Sequence, residues 1–411
     1  MNETEQRIID VLDEQSFKLT AKENGKLRYP FLQPGIPYKN TLWDWDSFFT
    51  VEGMSAVLKL KPNTEKKESL ARAAMGNVLN FLDMQEDDGF IPCMVRSDVE
   101  NDDYATRPRA NNAHKPVLSR HALKAFELYD ECGLPKNYLS DFPIEKLEKY
   151  LEYYYKNQFN EQSGLFVYAD DVFLGADNNP TVFGRLPHSS ADVFLNSLMV
   201  AEFKAMTELA KIFNRDAKLW ENRHDALKNA MNELMWDEKD CFYYSQDVNV
   251  KTHITEYFNH GLPAFWKTTP LKIKMFSCYM PLCFGVADEK RAAAALDAFT
   301  ESGLDCPYGV RTVSKYERAY NLEPSGNPSN WLGAVWTIAN YFVFEAFLSN
   351  GRIEDARRIK EQTEAYLIKD LEKTGSLSES YHPDTGEKFL NNDFFSFNTL
   401  YACMVLKMQN L

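Results

Sequence analysis

The sequence predicts an all-helical protein, one continuous domain spanning residues 1–411 and built from about a dozen helices. Three observations predict it. Long segments carry apolar residues at helical spacing. Strand signals are few and short. No Pro-, Gly- or Ser-rich linker divides the chain, although its length alone leaves room for two or three domains.

In chain order the helical segments are Thr4–Lys22, Ser47–Leu60, Lys66–Met84, Ser119–Cys132, Ile144–Asn157, Ala191–Phe213, Lys218–Met235, Glu289–Thr300, Gly333–Asn350 and Ile353–Glu372. In Ala191–Phe213 the side chains of Phe194, Leu198, Ala201, Ala205 and Leu209 recur every three or four residues, which places them on one helical face. Ser140-Asp141 before Phe142-Pro143 marks a helix start, and Asn350-Gly351 ends one helix just before the next begins, as in a helical hairpin. Gly164–Tyr168 and Cys241–Tyr244 read as short hairpin pieces. Between the helices run long, aromatic connections: Tyr29–Trp45, Asp87–Pro116, Phe159–His188, Cys306–Trp331 and Gly375–Phe397. Loops of this length in a compact domain carry function. Their alternation with helix pairs suits a barrel with its site at one end.

Composition narrows the function. A net charge of -14 without a Lys/Arg run argues against a nucleic-acid partner. The opening MNETEQRIIDVLDEQ lacks the basic and apolar regions of a signal peptide, and no apolar stretch is long enough to span a membrane. Seven scattered cysteines with no CxxC pair read as reduced thiols of a cytoplasmic protein, and no Cys/His spacing suits zinc. An aromatic content of 14% serves a large core, and it also serves sugar binding, because the C–H face of a pyranose stacks on a flat ring.

Four clusters can carry chemistry. Trp43-Asp44-Trp45-Asp46-Ser47 reads either as a sugar clamp, with an indole on the ring and a carboxylate across adjacent hydroxyls, or as a capped helix start with core tryptophans. Both hold if Asp46 lines a cleft from a helix N-terminus. Gly175-Ala176-Asp177-Asn178-Asn179-Pro180 has the residue types of Asx turns. In Leu377–Gly386, Glu379 lies among small and aromatic residues, and Pro383–Gly386 reads as a turn between two extended arms. Asn330–Trp336 enters an apolar helix, with Trp331 facing a pocket and Trp336 equally at home in the core. The seven histidines are isolated. Gln85 lies at a helix end, and Arg107, Arg109, Arg185 and Arg311 lie in loops where they can hold an anionic substrate group.

Taken in order, these clusters resemble the elements of glycoside hydrolase family sixty-three, the α-glycosidases that include mannosylglycerate and glucosylglycerate hydrolases. WDWDS is similar to the family's Trp–Trp–Asp–Ser element. GADNNP resembles its ESGxDNSP element, with Phe173-Leu174 where the family has Glu-Ser. NWLGAVW resembles RGPxW. ESYHPDTGEK followed by Phe394-Phe395-Ser396-Phe397 resembles ExYxPxTG…FxW. The resemblance implies an (α/α)6 barrel with long active-site loops at one end and hydrolysis with inversion at the anomeric carbon. It implies Asp177 as general acid and Glu379 as general base. Trp43, Trp45, Asp46, Gln85, Asn178, Trp331, Tyr381 and His382 would bind the sugar or orient Glu379. It implies a small α-glucosyl or α-mannosyl substrate and no metal or organic cofactor.

Two other readings stand beside it. A sugar epimerase or isomerase of the same barrel type would need His114, His253 and His382 to converge on one cavity. A degenerate carbohydrate-binding paralogue would keep the tryptophans and need no acid.

Overall fold

The N-terminal helix shows how locally its bounds are set. In a computed structural model describing residues 1–97, 112–136, 138–250, 265–323 and 329–411, helix α1 runs Glu3–Gln15. Asn2 and Glu5 form a reciprocal capping box, each side chain bonding the other's backbone N–H at 2.8 Å. The helix stops short of the expected Lys22. Ser16 turns its hydroxyl onto the Leu12 carbonyl at 2.5 Å, a single 3-10 turn follows, and Thr20-Ala21 then pair with Phe31-Leu32.

Among the described residues, eleven further helices complete the frame: α2 Asp44–Leu60, α3 Thr64–Asp83, α4 Leu118–Glu131, α5 Ile144–Gln158, α6 Val193–Ile212, α7 Ala217–Leu234, α8 Met280–Cys283, α9 Glu289–Asp297, α10 Thr337–Ser349, α11 Ile353–Thr374 and α12 Leu400–Gln409. A separate single turn lies at Tyr138–Asp141. The even-numbered helices form a closed ring: α2 touches α4, α4 touches α6, and so on through α8, α10 and α12, which returns to α2. The odd-numbered helices lie outside it. Of these, α3 packs on α2 and α4, α7 on α6, and α11 on α10 and α12, while α1 joins α2 and α11 next to the closing helix α12.

Burial follows the ring. In α2 almost every residue from Asp44 to Leu58 is buried, whereas the outer helix α7 buries only Trp220, Leu227 and Met231. That contrast explains what periodicity misses. Helices α8 and α12 are short and apolar on all sides, so they show no amphipathic stripe. Helix α10 begins at Thr337, later than the expected Gly333, because Val335 is extended and exchanges two 2.9 Å backbone hydrogen bonds with Tyr381. Helix α9 ends at Asp297, earlier than expected, and a 3-10 turn closes on Gly303 in the left-handed region.

Helix starts are also satisfied in trans. Glu202 of α6 accepts the Ser119 and Arg120 N–H groups at the first turn of α4, at 2.5 and 3.3 Å.

The expected hairpin pieces form. Leu165-Phe166 pair with Phe159-Asn160, and Phe242-Tyr243 with Trp236-Asp237. Two other hairpins matter for the site. Strand β1 (Thr41–Trp43) pairs with β2 (Met94–Arg96), and β3 (Ser378–Tyr381) pairs with β4 (Lys388–Asn392) around the Pro383–Gly386 turn. All seven cysteines are unpaired. Among the described residues no helix is long and apolar enough to cross a membrane.

Candidate active site

Strand β1 runs directly into helix α2, so Trp43, Asp44, Trp45 and Asp46 occupy the junction. Trp43 is the N-cap and has no side-chain cap. Asp44 is fully buried. One of its oxygens accepts the Trp45 N–H at 2.7 Å, and the other accepts the Lys115 N–H at 2.8 Å. The Lys115 ammonium lies 3.0 and 3.2 Å from the same carboxylate and is 4% exposed. Burial opposes ionisation of Asp44, yet the Lys115 charge and these hydrogen bonds hold it below the usual carboxylate range.

Asp46 turns instead into a cavity of about 230 Å³, smaller than the roughly 300–1,000 Å³ of drug-sized sites and suited to one small ring. Trp43, Trp45, Trp331, Trp336, Phe173, Leu390, Phe394 and Phe397 wall it; Asp46, Asp177, Glu379, Tyr38, Asn391 and Lys115 supply its polar edge. The indoles interlock. Trp331 stacks on Trp336 with centroids 4.1 Å apart, and Trp45 packs 5.8 Å from Trp331 and 4.9 Å from Phe397.

Glu379 enters from β3 and is 7% exposed. Tyr38 donates to its two oxygens at 3.1 and 3.0 Å, and Asn391 from the paired strand donates at 2.8 Å. Burial raises the Glu379 carboxyl to about 7, the Asp177 charge adds to the shift, and the two donors oppose it. Asp46 is held well above the carboxylate range by burial and then by the Asp44 charge; Lys115 opposes this, and Glu379 and Asp177 add to it. A protonated Asp46 can donate a hydrogen bond as well as accept one.

Asp177 is half-buried and comes from a loop braced at several points. Gly175 has φ +91, and a Cβ there would meet the Lys115 side chain at 2.8 Å. The Asn179 side chain accepts the Thr181 N–H at 2.9 Å, the Asx turn the sequence anticipates. Asn178 is buried, and its amide oxygen accepts the Trp331 N–H at 2.8 Å, tying the Asp177 loop to the Trp331 loop. Asn178, which the sequence assigns to sugar binding, does not line the cavity and is instead a brace between two walls.

Three further residues the sequence places at the site lie elsewhere. Gln85 donates to the Lys146 carbonyl at 2.8 Å, joining two helices. The β3–β4 register shifts between Ser380 and Tyr381, and Tyr381 does not line the cavity. Tyr381 is buried against Tyr366, 4.1 Å between centroids, and bonds to Asp370 and the Ser378 N–H. His382 accepts the Asp384 N–H and stacks on Phe389. Tyr38 and Asn391 do the orienting that the sequence assigns to Tyr381 and His382. The Pro34–Tyr38 segment and the arm after the turn hold no chemical motif that identifies those two residues. Lys115, a lone lysine between His114 and Pro116, gives equally little signal.

Of the loop arginines, Arg185 pairs with Asp247 and Arg311 with Asp384, and neither lines the cavity. Arg107 and Arg109 lie outside the described residues, as do His253 and His260. His114 is buried against Phe81, and its pKa is lowered by burial to about 4. Carboxylates, not imidazoles, thus face the cavity among the described residues, the opposite of what an epimerase needs. Among these residues no group of three or more His, Cys, Asp or Glu is placed to hold a metal ion.

Comparison with known proteins gives a consistent picture. The model of the mannosylglycerate hydrolase MGH1-like glycoside hydrolase domain matches residues 38–396. An uncharacterized protein of Borreliella burgdorferi is 26% identical over 314 residues, 74% of this chain and 58% of that protein. The mannosylglycerate hydrolase of Rubrobacter radiotolerans is 24% identical over 213 residues, 51% of this chain and 42% of that enzyme. The chain thus spans about half the length of the curated relatives it matches. The crystal structure of the GH63 mannosylglycerate hydrolase from Thermus thermophilus in complex with glucose superimposes with a TM-score of 0.69 at 19% identity, over 99% of this chain and 100% of that one. That likeness shows the fold, the (α/α)6 barrel of GH63 enzymes.

Proposed function

The chain belongs to the mannosylglycerate hydrolase MGH1-like glycoside hydrolase family, and from that premise we propose that it is an inverting α-glycosidase acting on an α-glucosyl or α-mannosyl bond in a small substrate. Asp177 protonates the glycosidic oxygen as the bond to the anomeric carbon breaks. Glu379 takes a proton from water, whose oxygen attacks that carbon from the opposite face. Asp46 bonds the sugar hydroxyls, and the tryptophans hold the ring.

The observation that supports this reading best is the Glu379 carboxyl, nearly sealed among aromatic rings, with both oxygens already accepting hydrogen bonds and the Asp177 charge felt across one cavity. Donors on both oxygens favour the carboxylate form that a base requires, and a pKa near 7 matches a base to neutral operation. Initial-rate assays on α-glucosyl and α-mannosyl disaccharides and glycosylglycerates test the activity. Release of sugar from at least one is expected; calorimetric binding without hydrolysis of any would favour the binding-paralogue reading.

A pH dependence follows. The base must be ionised, so kcat/KM is expected to fall about tenfold per pH unit below about 7 as Glu379 takes up its proton. Stability moves the other way. The folded-state value lies above the ordinary 4.5, so Glu379 places no burden on folding below that value, and the burden grows as pH rises to about 7. Glu379→Gln should therefore gain in melting temperature relative to the parent across that window. A pH-independent difference between the two melting curves would refute the shift.

A further inference from the structure

We propose that Thr181 and Asp192 are positioning residues for the general acid, holding the Asp177 loop against the start of α6. This rests on the reading of Asp177 as the acid and deepens it by naming what keeps that carboxyl in place.

Asp192 is fully buried at the N-cap of α6. One of its oxygens accepts the Phe194 N–H at 3.1 Å, the ordinary work of a cap. That work needs a single acceptor, which Ser or Asn supplies without burying a charge. The second oxygen accounts for the carboxylate. It accepts from the Ser245 hydroxyl at 2.6 Å and from the Thr181 hydroxyl at 2.9 Å. Burial raises the Asp192 carboxyl, and hydrogen bonds from the side chains of Ser245, Thr181 and Asn179 oppose the shift. Neutral donors and the positive end of a 20-residue helix thus hold this charge.

The two hydroxyls lead to different parts of the fold. Ser245 opens a short strand whose next residues, Gln246-Asp247, pair with Ser190-Ala191. Thr181 belongs to the acid's loop. Its hydroxyl also lies 2.8 Å from the Asn179 amide oxygen, the same oxygen that accepts the Thr181 N–H. The Asn179 N–H in turn donates to the Ala176 carbonyl at 2.9 Å and closes a turn whose two central residues are Asp177 and Asn178. Pro180, with its fixed φ, stands between that turn and Thr181. Asn179, Thr181, Asp192 and Ser245 are all buried. A chain of buried hydrogen bonds therefore runs from an inner-ring helix to the turn that carries the acid. Proton transfer to a leaving oxygen needs hydrogen-bond reach, so a displacement of about 1 Å is costly.

The test uses the whole protein. It compares an α-glycoside whose leaving group needs protonation with the α-glycosyl fluoride of the same sugar, whose leaving group does not. Thr181→Val keeps the shape of the side chain, the helix cap and the Ser245 contact, and removes the hydroxyl link to the loop. It is expected to lower the glycoside-to-fluoride ratio of kcat/KM by about tenfold, through kcat rather than KM. Thr181→Ser should restore the ratio. Thr181→Ala makes the same cut without placing a methyl group against the carboxylate, and should match Thr181→Val. Ser245→Ala removes the other donor from the same oxygen and should keep the ratio within about twofold of the wild type, whatever its melting temperature. A Thr181→Val or Thr181→Ala protein that loses both substrates in equal measure would overturn the inference, as would a Ser245→Ala protein that shifts the ratio as strongly. Asp177→Asn is the reference. If it shows the selective loss and the Thr181 variants do not, the positioning role alone fails. If it too loses both substrates equally, Asp177 is not the acid and the inference falls with that reading.

Discussion

Glu379→Gln is expected to lose turnover on every α-glycoside by about three orders of magnitude or more, while the protein stays folded. Gln keeps the shape of the side chain and can still accept from Tyr38 and Asn391 through its carbonyl oxygen, but it cannot take a proton from water. Asp177→Asn should be comparably damaging on substrates with poor leaving groups. The two variants part company on α-glycosyl fluorides. Fluoride departs without protonation, so Asp177→Asn should keep much of its fluoride hydrolysis and Glu379→Gln should lose it. The reverse pattern would exchange the two roles. Near-normal turnover of a natural-type substrate by either variant would remove that residue from the chemistry. Circular dichroism and thermal melting establish that the variants are folded.

The second large effect concerns stability. Lys115→Met is expected to destabilise the protein by roughly 3–5 kcal/mol, the usual loss when one member of a buried ion pair is removed. Asp44 is fully buried and is paired with the Lys115 ammonium at 3.0 Å. Without the ammonium, Asp44 must either remain charged in an apolar setting or take up a proton, and the Asp46 carboxyl beside it loses a charge that favours its ionised form. Replacing both partners, Lys115→Met with Asp44→Asn, should recover most of the loss, because neither charge is then left without the other. Equilibrium denaturation of the two single variants and the double variant measures this directly. A single variant within about 1 kcal/mol of the wild type would show that the pair does not hold the α2 start in place.

What could be read from the sequence follows from where the physical signal lies. The outer helices and the inner helix α4 announce themselves through a one-sided apolar pattern, whereas α2, α6 and α10 are buried nearly all round and are legible as long apolar runs. Helices α8 and α12 lie in the inner ring, apolar all round and short, and carry no such pattern. The Pro383–Gly386 turn and its two arms were legible because turn chemistry is local.

The site divides in the same way. Trp43, Trp45, Asp46, Asp177, Trp331 and Glu379 stand in short clusters of unusual composition, and the structure brings all six to one cavity. Their partners Tyr38, Lys115 and Asn391 come from separate segments and meet only through the fold. Tyr381 and His382 follow Glu379 in the same cluster, yet Tyr381 bonds Asp370 and His382 stacks on Phe389, contacts that residue type does not announce. Gln85 joins the end of α3 to α5, a contact that its residue type does not announce.

The most direct test of the paired-carboxylate mechanism is the configuration of the first-released sugar, followed by proton NMR of the anomeric signal before mutarotation. Hydrolysis of an α-glycoside by Asp177 and Glu379 acting through one water should release the β-anomer first, with the α-anomer growing in only as the two equilibrate. Release of the α-anomer first would mean a covalent glycosyl intermediate or a different pair of groups, and would contradict the mechanism.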